Sequence, residues 1–219
     1  MKKLAIILAL ILAVMASCST SPDGRQETPS ATRGLDDASW REVIDGDIAK
    51  VKDLFFAALQ EDDMLQPLLE ARDFDVNRKD LVDLKGVPVY RLDSAQFFAL
   101  TPQSDFESVL KLDTKNADFL VFHKGDIAFL IKASYNDGWR DIVEIGAGAQ
   151  KVLQDNLVKA INAGEETIVV EIYKRKKSAF YSKSAYVKKD GRWISAYTGK
   201  EAVEDLISIR NRPAGLSRD

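Results

Sequence analysis

Three turn signals do most to limit the folds open to this chain. Lys124-Gly125, Asn136-Asp137-Gly138 and Asp190-Gly191 each lie between runs rich in β-branched and aromatic residues. Such residues suit hairpins, whose tight turns need left-handed backbone that Gly, Asn and Asp tolerate. "ADFLVFH" and "DIAFLIKA" flank the first signal, "GWRDIVEI" follows the second, and "AFYSKSAYVK" and "RWISAY" flank the third. Val87 to Leu92 and "ETIVVEIYK" read as further strands. Helical spacing appears elsewhere. Ser39-Trp40-Arg41-Glu42 matches a capping box, and Ile44, Ile48, Val51, Phe55 and Leu59 continue it, so the pattern predicts one amphipathic helix over 39–60. Shorter helices are expected around 64–71 and 94–100, and a longer one over 147–162. A final helix is expected behind a second capping box, Thr198-Gly199-Lys200-Glu201. Strands in meander blocks separated by one helix predict an α+β fold. Its mainly antiparallel sheet of about six strands would be packed by helices, with an N-terminal helical segment. The expected organisation is one domain over 38–212 with a disordered tail at 213–219.

The chain opens with Lys2 and Lys3, followed by thirteen uncharged apolar residues from Leu4 to Ala16. As a helix these would span about 20 Å, short of the ~30 Å hydrocarbon core, which predicts a secretory signal peptide over 1–17. Met15-Ala16-Ser17-Cys18 follows, and Cys18 is the only cysteine in 219 residues. This segment resembles the lipobox of bacterial lipoproteins, with Met15 where leucine is usual. The resemblance covers residues 1–18 only. It implies that Cys18 is lipidated by a diacylglycerol thioether, becomes the new N-terminus and is acylated there, palmitate being a typical chain. Two or three acyl chains anchor a protein stably where one does not. With Ser19 rather than aspartate after the cysteine, the resemblance implies the outer membrane, on its periplasmic face. Residues 19–34, rich in Ser, Thr, Pro and Gly, suit a flexible tether, so 18–37 reads as lipidated cysteine plus tether.

Removing Lys2 and Lys3 from the 31 basic residues leaves 29 against 34 acids, a net charge of −5 for the processed chain. That balance argues against nucleic acid as a partner. The charge is uneven along the chain. Asp36 to Asp83 holds fourteen acids and six bases, whereas Lys174 to Arg192 holds eight bases against Asp190 alone. The second stretch predicts a hairpin with a basic tip. Lys174, Arg175, Lys176 and Lys177 form a candidate interaction patch for an envelope protein or an anionic envelope polymer. The alternative is a solvated hairpin whose lysines discourage edge pairing.

Four motifs bear on chemistry. "DIVEIGAGAQ" resembles the first motif of Rossmann-type methyltransferases that use S-adenosylmethionine, which would employ Glu144, Gly146, Gly148 and, at the next strand, Glu171. Gln150 stands where the third glycine belongs, and too little chain follows for a doubly wound sheet, so a chance match is expected, with the glycines making a strand-to-helix turn. Because Ile168, Val170 and Ile172 share one face, Glu171 is expected on the opposite, solvated one. "DFDVNRKDLVDL" is similar to a calcium loop through Asp73, Asp75 and Asn77. Arg78 and Leu84, however, occupy positions that need glycine and glutamate. His123, the sole histidine, reads as a hairpin-end residue. Ser108 and Lys111 have the spacing of a serine–lysine dyad without its companion boxes. No metal or cofactor is expected, and no catalytic residue. Function is therefore expected to be non-enzymatic, a binding or accessory role of a membrane-tethered protein in the cell envelope. An alternative is a carrier or sensor of a small apolar ligand held between sheet and helices, since a curved, aromatic-rich sheet can enclose a cavity, as in nuclear-transport-factor-like folds.

Overall fold

The computed structural model describes residues 36–61, 65–147, 151–174 and 180–211. Cys18 and the signal peptide, most of the tether, Gly148, Arg175, Lys176, Lys177 and the 213–219 tail lie outside these. The order is α1 (Asp37–Gly46), α2 (Ile48–Glu61), α3 (Gln66–Ala71), β1 (Val82–Leu92), α4 (Ser94–Ala99), β2 (Lys111–His123), β3 (Asp126–Tyr135) and β4 (Trp139–Ala147). Then come α5 (Lys151–Asn162), β5 (Thr167–Lys174), β6 (Phe180–Lys189), β7 (Arg192–Ser195) and α6 (Ala202–Arg210). Among the described residues no helix is long and apolar enough to cross a membrane.

The fold is α+β, with a mixed, mostly antiparallel sheet in the order β4-β3-β2-β1-β5-β6-β7. Seven strands form rather than about six, one from each of the seven β-rich runs, with Arg192–Ser195 pairing against the end of β6. β1 to β4 form one antiparallel meander and β5 to β7 a second. They join where Val89–Leu92 of β1 lies parallel to Val169–Ile172 of β5. The turn signals act as their chemistry dictates. Lys124 and Gly125 take φ of 54° and 86°, and Asp190 and Gly191 take 50° and 76°, both left-handed pairs that match the twist of the flanking strands.

The helices depart from the sequence expectation in two ways. The 39–60 helix is two helices, because the chain leaves helical geometry at Asp47 (φ −136°, ψ 43°), just after Gly46. Neither capping box forms as expected. Asp36 caps α1 by accepting the Ser39 N–H at 2.8 Å, and α6 starts behind Glu201 without a side-chain cap. Thr198 instead donates its hydroxyl to Asp205 at 2.9 Å, and the buried Tyr186 hydroxyl donates to the same carboxylate at 3.0 Å.

Alternation along the strands sends side chains to two faces. On one face α1 to α3 cover β1 to β4 through Trp40, Ile44, Phe55 and Phe56 against Leu84, Phe119, Val121, Phe129 and Ile131. On the same face α4 and α6 cover β5 to β7 through Phe97 and Leu206 against Val170, Ile172 and Tyr186. Among the described residues the opposite face carries only α5, whose Leu157 and Ala160 pack on Val87, Val89, Leu120, Ile127 and Val169.

Two residues of β1 set its position. Pro88, lacking an N–H, marks where the β2 register slips between Pro88 and Tyr90, one residue before pairing with β5 begins. Gly86 is where α1 rests on the sheet. A Cβ there would fall 2.0 Å from Ile44 Cγ2 and 3.1 Å from the Phe119 ring. Ile44 is β-branched and fully buried, so it has little room to yield. Gly86→Ala is therefore expected to destabilise the domain by about 1–3 kcal/mol in urea unfolding. Adding Ile44→Ala should recover part of that loss, giving a double mutant less unstable than the two singles summed.

Candidate functional site

The face that carries α5 is only partly apolar. Asp118, Lys132, Glu171 and Lys183 each stand two residues from an apolar neighbour on the same face, namely Leu120, Leu130, Val169 and Ala185. Register places Lys132 directly opposite both Asp118 and Glu144, and Glu171 opposite Lys183. Acid and base thus alternate along two short rows, one in each meander. The ammonium groups then reach over β1 to the other row. Lys132 Nζ hydrogen-bonds Glu171 Oε1, and Lys183 Nζ lies 3.0 Å from Asp118 Oδ2 and 3.4 Å from Glu144 Oε2. Lys132 also stands 3.6 Å from Glu144, and Lys183 3.9 Å from Glu171.

Asp118 and Glu171 are 0% exposed, whereas the Glu144 side chain is 44% exposed and forms the solvent side of the group. Burial pushes Asp118 up to about 6; the Lys183 and Lys132 charges hold it from rising further, and the Glu171 charge adds to the rise. For Lys132, burial works to lower the pKa. The hydrogen bond and charge of Glu171, together with Asp118 and Glu144, outweigh it and leave the lysine raised. Glu171 does lie opposite Ile168, Val170 and Ile172 as the alternation requires, but that face is buried here rather than solvated. A carboxylate there is tolerated because Lys132 pairs with it.

Beside these charges α5 stands off the sheet and leaves a cavity of about 220 Å³. Its walls are mainly Val87, Leu120, Ile127, Leu130, Leu153, Leu157, Val169 and Ala185, and Thr167, Lys183 and Ser184 also border it. A wider cleft of about 420 Å³ lies between α1, β1 and the turn after α5. The charges around it are already matched, Arg41 to Asp37 and Glu166 and Lys85 to Asp45. The smaller, apolar cavity is the candidate site.

The residues singled out from sequence divide accordingly. Glu144 and Glu171 do meet, at the two lysines, whereas Gly146 pairs within β4 opposite Leu130 and makes no turn. Lys174 ends β5 opposite Phe180. The basic stretch is not a free positive surface in its described part. Lys183 is drawn into the buried group, Lys188 pairs with Glu107 at 2.8 Å, Lys189 with Glu165 and Arg192 with Glu201. In the calcium-like segment Asp73 pairs with Lys124, Asp75 accepts from Asn77 and Arg78 binds Asp80. Among the described residues no three His, Cys, Asp or Glu converge as a metal would need. His123 sits buried at the β2 end, its ring 5.0 Å from that of Phe74. Ser108 donates to the Asp105 carbonyl at 2.9 Å. Asp118, Lys132 and Lys183 were not singled out as a site from sequence. The signal for them is a charged residue at a strand position whose i±2 neighbours are apolar.

Compared with protein-family models, curated proteins and solved structures, the chain matches none of them.

The raised Asp118 carboxyl has a definite consequence for stability. Its folded pKa of about 6 exceeds the ordinary value of 3.8, so the folded state holds the proton more tightly and stability falls as pH rises between those values. Asp118→Asn removes that dependence. Its stability relative to wild type, from denaturant unfolding, is expected to improve by about 1 kcal/mol on going from pH 5 to pH 7. A difference that stays constant with pH would show that Asp118 is not raised.

Proposed function

We propose that this protein is a lipid-anchored, extracytoplasmic binding protein whose domain holds a small ligand with an apolar body between α5 and the sheet. The role is non-enzymatic. The observation that carries it is the cavity of about 220 Å³ walled mostly by aliphatic side chains. Protein interiors pack densely, and an apolar cavity of about 150 Å³ already accepts benzene, so this one suits a single ring or a short alkyl chain. The signal-like Leu4–Ala16 run and the lipobox resemblance ending at Cys18 support the anchor and, with Ser19, the outer membrane. The ion pairs of Lys183, Lys188, Lys189 and Arg192 favour the cavity over the basic stretch as the working surface. The four consecutive bases Lys174 to Lys177 support a second reading, contact with an envelope protein or an anionic envelope polymer.

Native mass spectrometry of the full-length protein purified from membranes tests the cavity. A stoichiometric small molecule is expected in wild type and its loss in Leu157→Trp, which fills the space. An empty wild type that n-hexanol at millimolar concentration does not stabilise thermally would refute the proposal. The anchor is tested separately: Cys18→Ser should accumulate as unacylated precursor, and an acylated product of that variant would exclude Cys18 as the lipid site.

A further inference from the structure

Among the described residues Lys183 is the one charged residue that borders the apolar cavity. Asp118 and Glu171 each stand two residues along a strand from the wall residues Leu120 and Val169, about 7 Å at the usual rise, and Glu144 lies on the edge strand. None of the three carboxylates touches the wall. The other polar residues at the border are engaged elsewhere. The Thr167 hydroxyl donates to the Glu165 carbonyl at 3.3 Å, and Ser184 stands opposite Val170, whose side chain belongs to the core on the other face.

The grip on Lys183 is loose. A lysine ammonium has three N–H donors. One goes to Asp118 Oδ1 at 3.3 Å and one to Glu144 Oε2 at 3.4 Å, both long for charge-assisted hydrogen bonds, and Glu171 at 3.9 Å is out of reach. Asp118 Oδ2 lies 3.0 Å from the same nitrogen but accepts no hydrogen bond. A molecule seated against the aliphatic walls therefore meets Lys183 before any carboxylate. A cationic end would be set against a cation, and a neutral end would gain one ordinary hydrogen bond. An anionic end gains a charge-assisted one and can displace a weakly held partner.

We infer that the ligand of this cavity is a small anionic amphiphile, its hydrocarbon body under Leu157 and its anionic end on Lys183, and that one proton enters with it. This rests on the cavity being a binding site. The proton goes from solvent to Asp118. That residue, on β2, faces Lys183 of β6, Lys132 of β3 and Glu171 of β5, and Glu144 of β4 is paired with the same two lysines. Burial raises the Asp118 carboxyl to about 6, so it can be neutralised close to neutral pH. The anion then takes its place beside Lys183, and the net charge of the group is unchanged. Because binding draws in a proton, affinity is greatest below about pH 6 and falls as pH rises above it.

Three probes that share a six-carbon tail test this: 1-hexanesulfonate, anionic at every pH used, n-hexanol and hexylamine. Each is titrated calorimetrically into the full-length protein in lipid nanodiscs, with empty nanodiscs as the blank. At pH 5.5 hexanesulfonate is expected to bind about tenfold more tightly than hexanol, with hexylamine weakest. From pH 5.5 to pH 7.5 its affinity should fall about tenfold while that of hexanol stays constant. Asp118→Asn, which cannot take up the charge, should bind hexanesulfonate equally well at both pH values. Lys183→Met should bring hexanesulfonate to within about threefold of hexanol. Equal binding of the three probes, or tighter binding of hexanol or hexylamine, would overturn the anionic inference and leave the cavity proposal standing. A hexanesulfonate affinity independent of pH in the wild type would overturn the proton linkage, and a preference that survives in Lys183→Met would overturn the assignment to Lys183. Binding of none would refute the cavity proposal itself.

Discussion

The four-residue parallel pairing of Val89–Leu92 with Val169–Ile172 is the one seam between two otherwise separate antiparallel meanders, and most of the molecule is arranged to hold it. A parallel pair cannot be closed by a tight turn. It needs a crossover, here β4 to α5 to β5, which carries the chain from one sheet edge to the middle. α5 therefore has to lie on the face opposite the other helices, and its fit to that face decides whether a cavity is left. Pro88 sits where the pairing with β2 slips before resuming at Tyr90–Leu112 and Arg91–Lys111, so β1 pairs with β2 along nearly its whole length and with β5 only over its last four residues.

The ion pairs have a structural meaning of their own. Lys132 on β3 reaches Glu171 on β5, and Lys183 on β6 reaches Asp118 on β2, so both contacts pass over β1 and tie the meanders together. Buried ion pairs seldom stabilise more than an apolar replacement would, because desolvation offsets their attraction. Their value here lies in register. Slipping either meander by one residue would turn these side chains to the opposite face and leave uncompensated charge in the aliphatic and aromatic core. The same desolvation raises Asp118 to about 6.

Much of the architecture was legible because it is local. The hairpin turns follow from Lys124-Gly125 and Asp190-Gly191, whose left-handed backbone the residue types anticipate. The strands followed from β-rich runs, and the opposed faces of Ile168, Val170, Ile172 and Glu171 from a period of two. The errors came where tertiary contacts override local preference. Ser39 and Thr198 have capping chemistry, but Asp36 is better placed for α1, and Thr198 finds a buried carboxylate in Asp205. The helix expected over 39–60 breaks because α1 must settle on Gly86 while α2 packs farther along the same face.

The amino-acid sequence by itself determined the fold class, the hairpin positions, the apolar faces and the export-type N-terminal pattern, since each depends on residues within a few positions of one another. Only the tertiary structure decided that Asp118, Lys132, Glu144, Glu171 and Lys183 form one group beside one cavity. Those residues are spread over five strands and 66 positions. Their pairing depends on strand order and register, which are set by the free energy of burying two meanders and α5 together, and no short stretch of chain contains that information.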